Sequence, residues 1–143
     1  MPTRTSSARW EGDLKSGAGT VSTGSGTFQG SYSFPSRFES GQGTNPEELI
    51  AAAHAACYSM ALSNGLVKAG FTPTSVETSA AVQFGPIEGG FAITRIDLTT
   101  RGDVPGIDAA DFEKHAADAK AGCPISKALA AVPEITLETK FES

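Results

Sequence analysis

The sequence is poor in the residues that most often announce a covalent frame, a metal or a polyanionic partner. In 143 residues it has two cysteines, two histidines and one tryptophan. No apolar run is long enough to span a bilayer. The first ten residues, Met1 to Trp10, hold no hydrophobic segment of the signal-peptide kind. A reducing, cytoplasmic setting is therefore the expectation, and there a cysteine pair is more often catalytic or metal-binding than a structural staple. Basic residues are also scarce. Eleven Lys and Arg against sixteen Asp and Glu give a net charge of −5, the wrong sign for nucleic acid or an anionic membrane surface. His54, Cys57, His115 and Cys123 contain no close ligand pair of the zinc-finger type, which disfavours a Cys2His2 metal site. Repeats and long linkers are missing as well, so one domain, residues 1–143, is expected.

What is present reads as α+β. Residues 16–31 are rich in Gly, Ser and Thr, and short strands are predicted around Ala8 to Leu14, Thr20 to Thr23 and Thr27 to Ser33. Ser36 to Gly43, which carries Arg37, Phe38 and Glu39, reads as a loop. A long helix follows. Asn45 suits the N-cap, Pro46 the first helical position and Glu48 the acid of a capping box. Lys68 and Gly70 mark its end. Its middle is apolar or small almost all round, which predicts burial on every side. At 1.5 Å per residue it is roughly 35 Å long, and one short chain covers such a helix with difficulty, so a second subunit is inferred. Beyond it, Val76, Thr78, Ala80, Val82 and Phe84 alternate with more polar residues as a half-buried strand. A turn at Pro86 to Gly90 and a strand with a bulge near Thr94-Arg95 come next. A helix capped by Asp108 runs to Gly122, Pro124 restarts a short one, and a last strand sets Ile135, Leu137 and Phe141 on one face.

The chemistry centres on the thiols. Cys57 lies about three turns into the long helix, where burial raises a thiol pKa and the helix dipole no longer helps. A reactive Cys57 therefore needs a cation from elsewhere, and Arg37 is the candidate. Arginine stays charged and its fork of donors can hold a thiolate and a carboxylate together. Glu47 is the candidate carboxylate. It stands ten residues from Cys57, about 15 Å along a helix, so cooperation between Glu47 and Cys57 must cross a subunit interface. Cys123, in Gly122-Cys123-Pro124, sits at a helix start, where a positive helix end lowers a thiol pKa. Spacing alone leaves open whether two cysteines 66 residues apart meet. His54 is one turn before Cys57; a hydrogen-bonded core histidine is the expectation, with a base for Cys57 as the rival. His115 is expected to be solvated.

The stretch Gly43-Thr44-Asn45-Pro46-Glu47-Glu48-Leu49-Ile50-Ala51-Ala52-Ala53-His54-Ala55-Ala56-Cys57 closely resembles the signature of the OsmC/Ohr family of thiol peroxidases. Ala121-Gly122-Cys123-Pro124-Ile125-Ser126 resembles its second motif. The likeness extends over nearly the whole chain, and Ser36-Arg37-Phe38-Glu39 together with His54 resembles the OsmC branch more than the Ohr branch. The resemblance implies an OsmC-like fold, with curved, antiparallel-rich sheets wrapped around long central helices in an intertwined homodimer. It implies Cys57 as the peroxidatic thiolate, Cys123 as the resolving thiol, and Arg37 with Glu47 as the activating pair, reaching the cysteines from the other subunit. The expected reaction is reduction of organic hydroperoxides, and less efficiently hydrogen peroxide, through a Cys57 sulfenic acid and a Cys57–Cys123 disulfide, as part of oxidative or osmotic stress defence. No metal, flavin or other cofactor is expected; an external dithiol, for which the family suggests lipoyl-type donors, resets the thiols. Two rivals stand beside this reading: acyl or thioester transfer with Cys57 as nucleophile and His54 as base, and a non-catalytic redox-sensing dimer.

Overall fold

The Gly- and Ser-punctuated N-terminal stretch forms an antiparallel sheet in a computed structural model that describes residues 1–143. Its strands are β1 (Ser6–Glu11), β2 (Ala18–Thr23) and β3 (Gln29–Tyr32), in the order β1-β2-β3. By internal contacts the chain separates into two compact units, residues 1–49 and 50–143. In the first, the segment predicted as loop contains a short helix instead: α1 (Phe34–Phe38) carries Arg37 in its last turn. The Ser33 hydroxyl accepts from the Ser36 backbone N–H while the Ser36 hydroxyl accepts from the Ser33 N–H, a reciprocal capping box that needs no apolar periodicity to start a helix.

Helix α2 (Pro46–Lys68) keeps its predicted limits. The Asn45 carboxamide oxygen accepts from the Glu48 N–H at 2.7 Å. The Glu48 carboxylate turns to the Thr44 hydroxyl rather than back to the cap. The approach to the helix is tight. Gly43 has φ +117°, and a Cβ there would stand 2.7 Å from the Ser31 carbonyl oxygen. At the far end Phe71 N–H bonds the Leu66 carbonyl and Gly70 N–H the Val67 carbonyl around Gly70 at φ +95°, a Schellman termination that favours glycine.

Residues 50–143 hold the core. A second sheet, in the order β4-β5-β6, pairs β4 (Ser75–Ile87) antiparallel with β5 (Gly90–Asp103), and β5 parallel with β6 (Glu134–Glu142). The register shifts between Gln83–Arg95 and Phe84–Ile93, leaving Thr94 as the extra residue of the predicted bulge. Two helices, α3 (Ala109–Gly122) and α4 (Pro124–Ala128), connect β5 to β6. Asp108 caps α3 through the Asp111 N–H at 2.8 Å. Tyr58, Leu62 and Leu66 of α2 are fully buried with Ile96, Leu98, Phe112 and Ala116. Burying each large apolar side chain contributes about 1.5–3 kcal/mol. That stripe at four-residue spacing is what α2 buries. Met60 is 75% exposed and Val67 56%, and Ala52, Ala53 and Ala56 are exposed too. The expected burial on every side is thus not met within one chain.

Candidate active site

Two pairs of side chains stand out, one in each unit. In residues 1–49, Arg37 directs Nη2 to Glu47 Oε1 at 2.8 Å and Nε to the same oxygen at 3.1 Å. The short helix α1 is tied to the start of α2 by the Ser36 hydroxyl on the Thr44 carbonyl (2.7 Å) and by the Asn45 amide on the Ser36 carbonyl (3.0 Å). Arg37 is thereby held opposite the first turn of α2, where Glu47 is buried and Glu48 exposed. The spare acid of Pro46-Glu47-Glu48 is the one engaged with arginine.

In residues 50–143, Cys57 and Cys123 meet. Both are free thiols, and their sulfurs are 2.8 Å apart in hydrogen-bond contact. A disulfide is about 2.05 Å long, so less than about 1 Å of further approach separates contact from bond. Three features bring the two sulfurs together. Pro124 disfavours helical backbone at the residue before it, and Cys123 is extended, φ −59° and ψ 124°, which breaks α3 from α4 there. His54, one turn before Cys57, bonds the Ser126 hydroxyl of α4 through Nε2 at 2.7 Å. Tyr58, next to Cys57, donates to the Ala116 carbonyl of α3 at 2.9 Å. The helix bearing Cys57 is pinned on both sides of the corner bearing Cys123.

The two thiols differ in exposure and acidity. Cys123 is fully buried, whereas Cys57 is half-buried and opens onto a cleft of about 1000 Å³ with Met60, Ala61 and Ile125 on its walls. Burial first, and then the hydrogen bond with Cys123, push the Cys57 thiol up. Cys123 moves the other way. Its burial opposes ionisation, but the Cys57 thiol beside it, together with the polar groups of Ser126 and Ile125 at the start of α4, holds the thiol below its usual value. None of the groups acting on Cys57 is a cation.

The histidines take separate places. Neither nitrogen of His54 bonds Cys57: Nε2 is engaged by Ser126 and Nδ1 is buried without a partner. His54 is a core histidine, as expected, and the hydrogen bond that a Cys57–His54 nucleophile–base pair requires is absent. His115, expected to be solvated, is only partly exposed. It lines the cleft and sets its ring edge-on to Phe71 at 6.5 Å. Ser126 was not singled out from sequence; its place three residues into a helix opened by Cys123-Pro124 is the signal that marks it.

Residues 39–138 match the family model described as OsmC-like protein. The chain belongs to the OsmC-like family. Among its relatives, it is 57% identical over 137 residues to peroxiredoxin OsmC of Escherichia coli (strain K12), covering 95% of this chain and 94% of that one. It is 36% identical over 98 residues to the organic hydroperoxide resistance protein of Xanthomonas axonopodis pv. citri (strain 306), covering 68% and 67%. Of these two it stands nearer the OsmC branch. The crystal structure of an OsmC-like protein from Mycoplasma pneumoniae shares the fold at a TM-score of 0.76 and 15% identity, over 99% of both chains. The expected α+β, antiparallel-rich OsmC-like fold is what the chain has, with the β5–β6 pair as its parallel member.

Proposed function

We propose that Cys57 and Cys123 are the peroxidatic and resolving thiols of a dithiol-dependent peroxidase that reduces organic hydroperoxides to alcohols. The observation that carries it is the contact of the two sulfurs with only Cys57 facing the cleft. A peroxide entering the cleft meets Cys57. Its thiolate attacks the outer peroxide oxygen, the O–O bond breaks, and the alkoxide leaves and takes a proton as the alcohol. Cys57 is left as sulfenic acid, which Cys123 converts to a disulfide with loss of water. The relatives named peroxiredoxin and organic hydroperoxide resistance protein support this activity, and the cleft's apolar walls favour hydroperoxides with greasy substituents over hydrogen peroxide.

Arg37 and Glu47 are proposed as the activating pair. Burial and the contact with Cys123 push the Cys57 thiol up, and no cation is among the groups acting on it within residues 50–143, so a cation must come to Cys57 before a peroxide can be attacked. Arg37 is already oriented by Glu47 for that task. Ten residues of helix between Glu47 and Cys57 argue that it comes from a second copy, and the apolar side chains that α2 leaves exposed in one chain support such a homodimer. The reading takes residues 1–143 as one OsmC-like domain, since the family match crosses the boundary between the units. A cytoplasmic dithiol of the lipoyl class would reset the disulfide; no helix is long and apolar enough to cross a membrane. Consumption of cumene hydroperoxide with dihydrolipoamide should disappear in Cys57→Ser. Turnover undiminished in that variant overturns the reading.

A further inference from the structure

We infer that the buried His54–Ser126 hydrogen bond is a clasp that sets the effective concentration of Cys123 at Cys57, and with it how readily their disulfide closes. Its place in turnover rests on the peroxidase reading above, and it gives His54 and Ser126 positioning roles.

Four residues make two rungs between α2 and α4. His54 and Cys57 are three residues apart on α2, a spacing that puts both on one face. Cys123 and Ser126 are also three apart, as cap and third residue of α4, and such residues face each other at a helix start. One rung joins His54 Nε2 to Ser126 Oγ at 2.7 Å; the other sets the two sulfurs 2.8 Å apart. The backbone of Cys123 belongs to both neighbouring helices. Its N–H bonds the Ala119 carbonyl at 2.9 Å, and its carbonyl accepts from the Lys127 N–H at 3.0 Å. The Cys123 sulfur is therefore aimed by α3 and α4 together. Tyr58 ties α3 to α2 through the Ala116 carbonyl, and His54 ties α4.

Helix α4 has little else that fixes its register. Five residues are too few for a helix to be stable by itself, and its cap makes no side-chain bond. Ile125 and Leu129 pack on the core, but apolar contact is non-directional, whereas a hydrogen bond holds only within a narrow range of distance and angle. For stability alone the pair is a poor choice. His54 is fully buried with Nδ1 unpartnered, a penalty that an apolar side chain would not carry. What the polar pair adds is a fixed separation. A disulfide needs that precision, because its sulfurs must close to about 2.05 Å with the Cβ atoms about 3.5–4.5 Å apart. In turnover the Cys123 sulfur gives an electron pair to the sulfenic sulfur of Cys57. The S–S bond forms, the S–O bond breaks, and hydroxide leaves and takes the Cys123 proton as water.

The test reads the disulfide equilibrium without peroxide. The full-length protein is equilibrated in glutathione buffers below its melting transition. The two thiols and one oxidised glutathione give the Cys57–Cys123 disulfide and two reduced glutathiones, so the constant is an effective concentration. Mass spectrometry after acid quenching counts both forms. Ser126→Ala should lower the constant by about five- to tenfold, the factor that one neutral hydrogen bond carries. The double variant His54→Leu/Ser126→Ala makes both partners apolar and so removes the unpaired groups that the single change leaves; its constant should stay as low. Ile107→Val trims a buried side chain just before the far end of α3, at a cost like that of a hydrogen bond, and should keep the wild-type constant. The clasp is overturned by a wild-type constant in either Ser126 variant, and equally by a matching fall in Ile107→Val. Wild-type thiols that survive one equivalent of cumene hydroperoxide unoxidised overturn the peroxidase reading, while the glutathione constants still decide the clasp.

Discussion

Two five-residue helices in this chain begin on nearly the same pattern and end with different tasks. Helix α1 opens with Ser33-Phe34-Pro35-Ser36 and α4 with Cys123-Pro124-Ile125-Ser126; each has a proline in its first turn and a serine three residues after the cap. In α1 the cap is a hydroxyl, and both serines are spent on each other in a closed capping box. In α4 the cap is a thiol, no side-chain cap hydrogen bond forms, and the serine turns to His54. The difference teaches what sulfur at a helix start costs and gains. It gives up a structural bond worth about 1 kcal/mol, and in return the helix-start donors are available to a nucleophile. The closed box of α1 does the opposite work: it fixes a backbone so that Arg37 meets Glu47.

The largest way to break this comparison is at Arg37. If the charged corner exists only to activate Cys57 towards peroxide, Arg37→Ala should lower kcat/KM for cumene hydroperoxide by about 10²–10³, the usual loss for one charge-stabilising donor. Slow oxidation by diamide should still close the Cys57–Cys123 disulfide, because the two sulfurs meet within residues 50–143. Loss of both reactions would show that Arg37 supports the thiol corner itself.

A smaller effect is expected when the thiol cap is made to resemble the hydroxyl cap. Cys123→Ser should let α4 close as α1 does and raise stability by up to about 1 kcal/mol, read by urea unfolding. The same protein should accumulate Cys57 sulfenic acid after one equivalent of peroxide. A less stable Cys123→Ser protein would count against the proposed exchange of a cap bond for reactivity. The reciprocal change, Ser33→Ala, should cost about 1 kcal/mol at most and loosen Arg37. Its peroxidase loss should therefore be a fraction of that in Arg37→Ala, and a larger loss would mean that Ser33 acts beyond the cap.

These two helix starts also mark where the sequence was legible. Asn45, Pro46 and Glu48 at one end of α2, and Lys68 with Gly70 at the other, are local signals, and the helix keeps those limits. The cysteines were legible because a thiol at a helix start and a thiol deep in a helix pose distinct chemical problems whatever the fold. Helix α1 was missed because Phe34–Phe38 is too short for any apolar period; only the Ser33–Ser36 spacing around Pro35 betrays it. The sequence also indicated that one chain covers α2 with difficulty, and Ala52, Ala53 and Ala56 are exposed in one chain; what packs against such small residues is not written in their own spacing. The His54–Ser126 bond joins residues 72 apart, a pairing that only the packing of α2 against α4 creates.

The smallest expected effect concerns that bond. Burial lowers the pKa of His54, so the folded protein binds its proton less readily than the unfolded chain does. The sign follows from linkage. The stability associated with neutral His54 is complete above the unfolded histidine value of about 6.5 and is lost as pH falls below it towards the folded value. The charged ring carries a hydrogen on both nitrogens, and Nδ1 has no partner to receive one, so the folded state resists charging. Between pH 7 and pH 5.5 the wild type should lose up to about 1.4 kcal/mol, one pKa unit of differential protonation, relative to His54→Gln. Urea unfolding at the two pH values reads the effect. Parallel pH slopes in the two proteins would mean that His54 is protonated as easily in the fold as out of it.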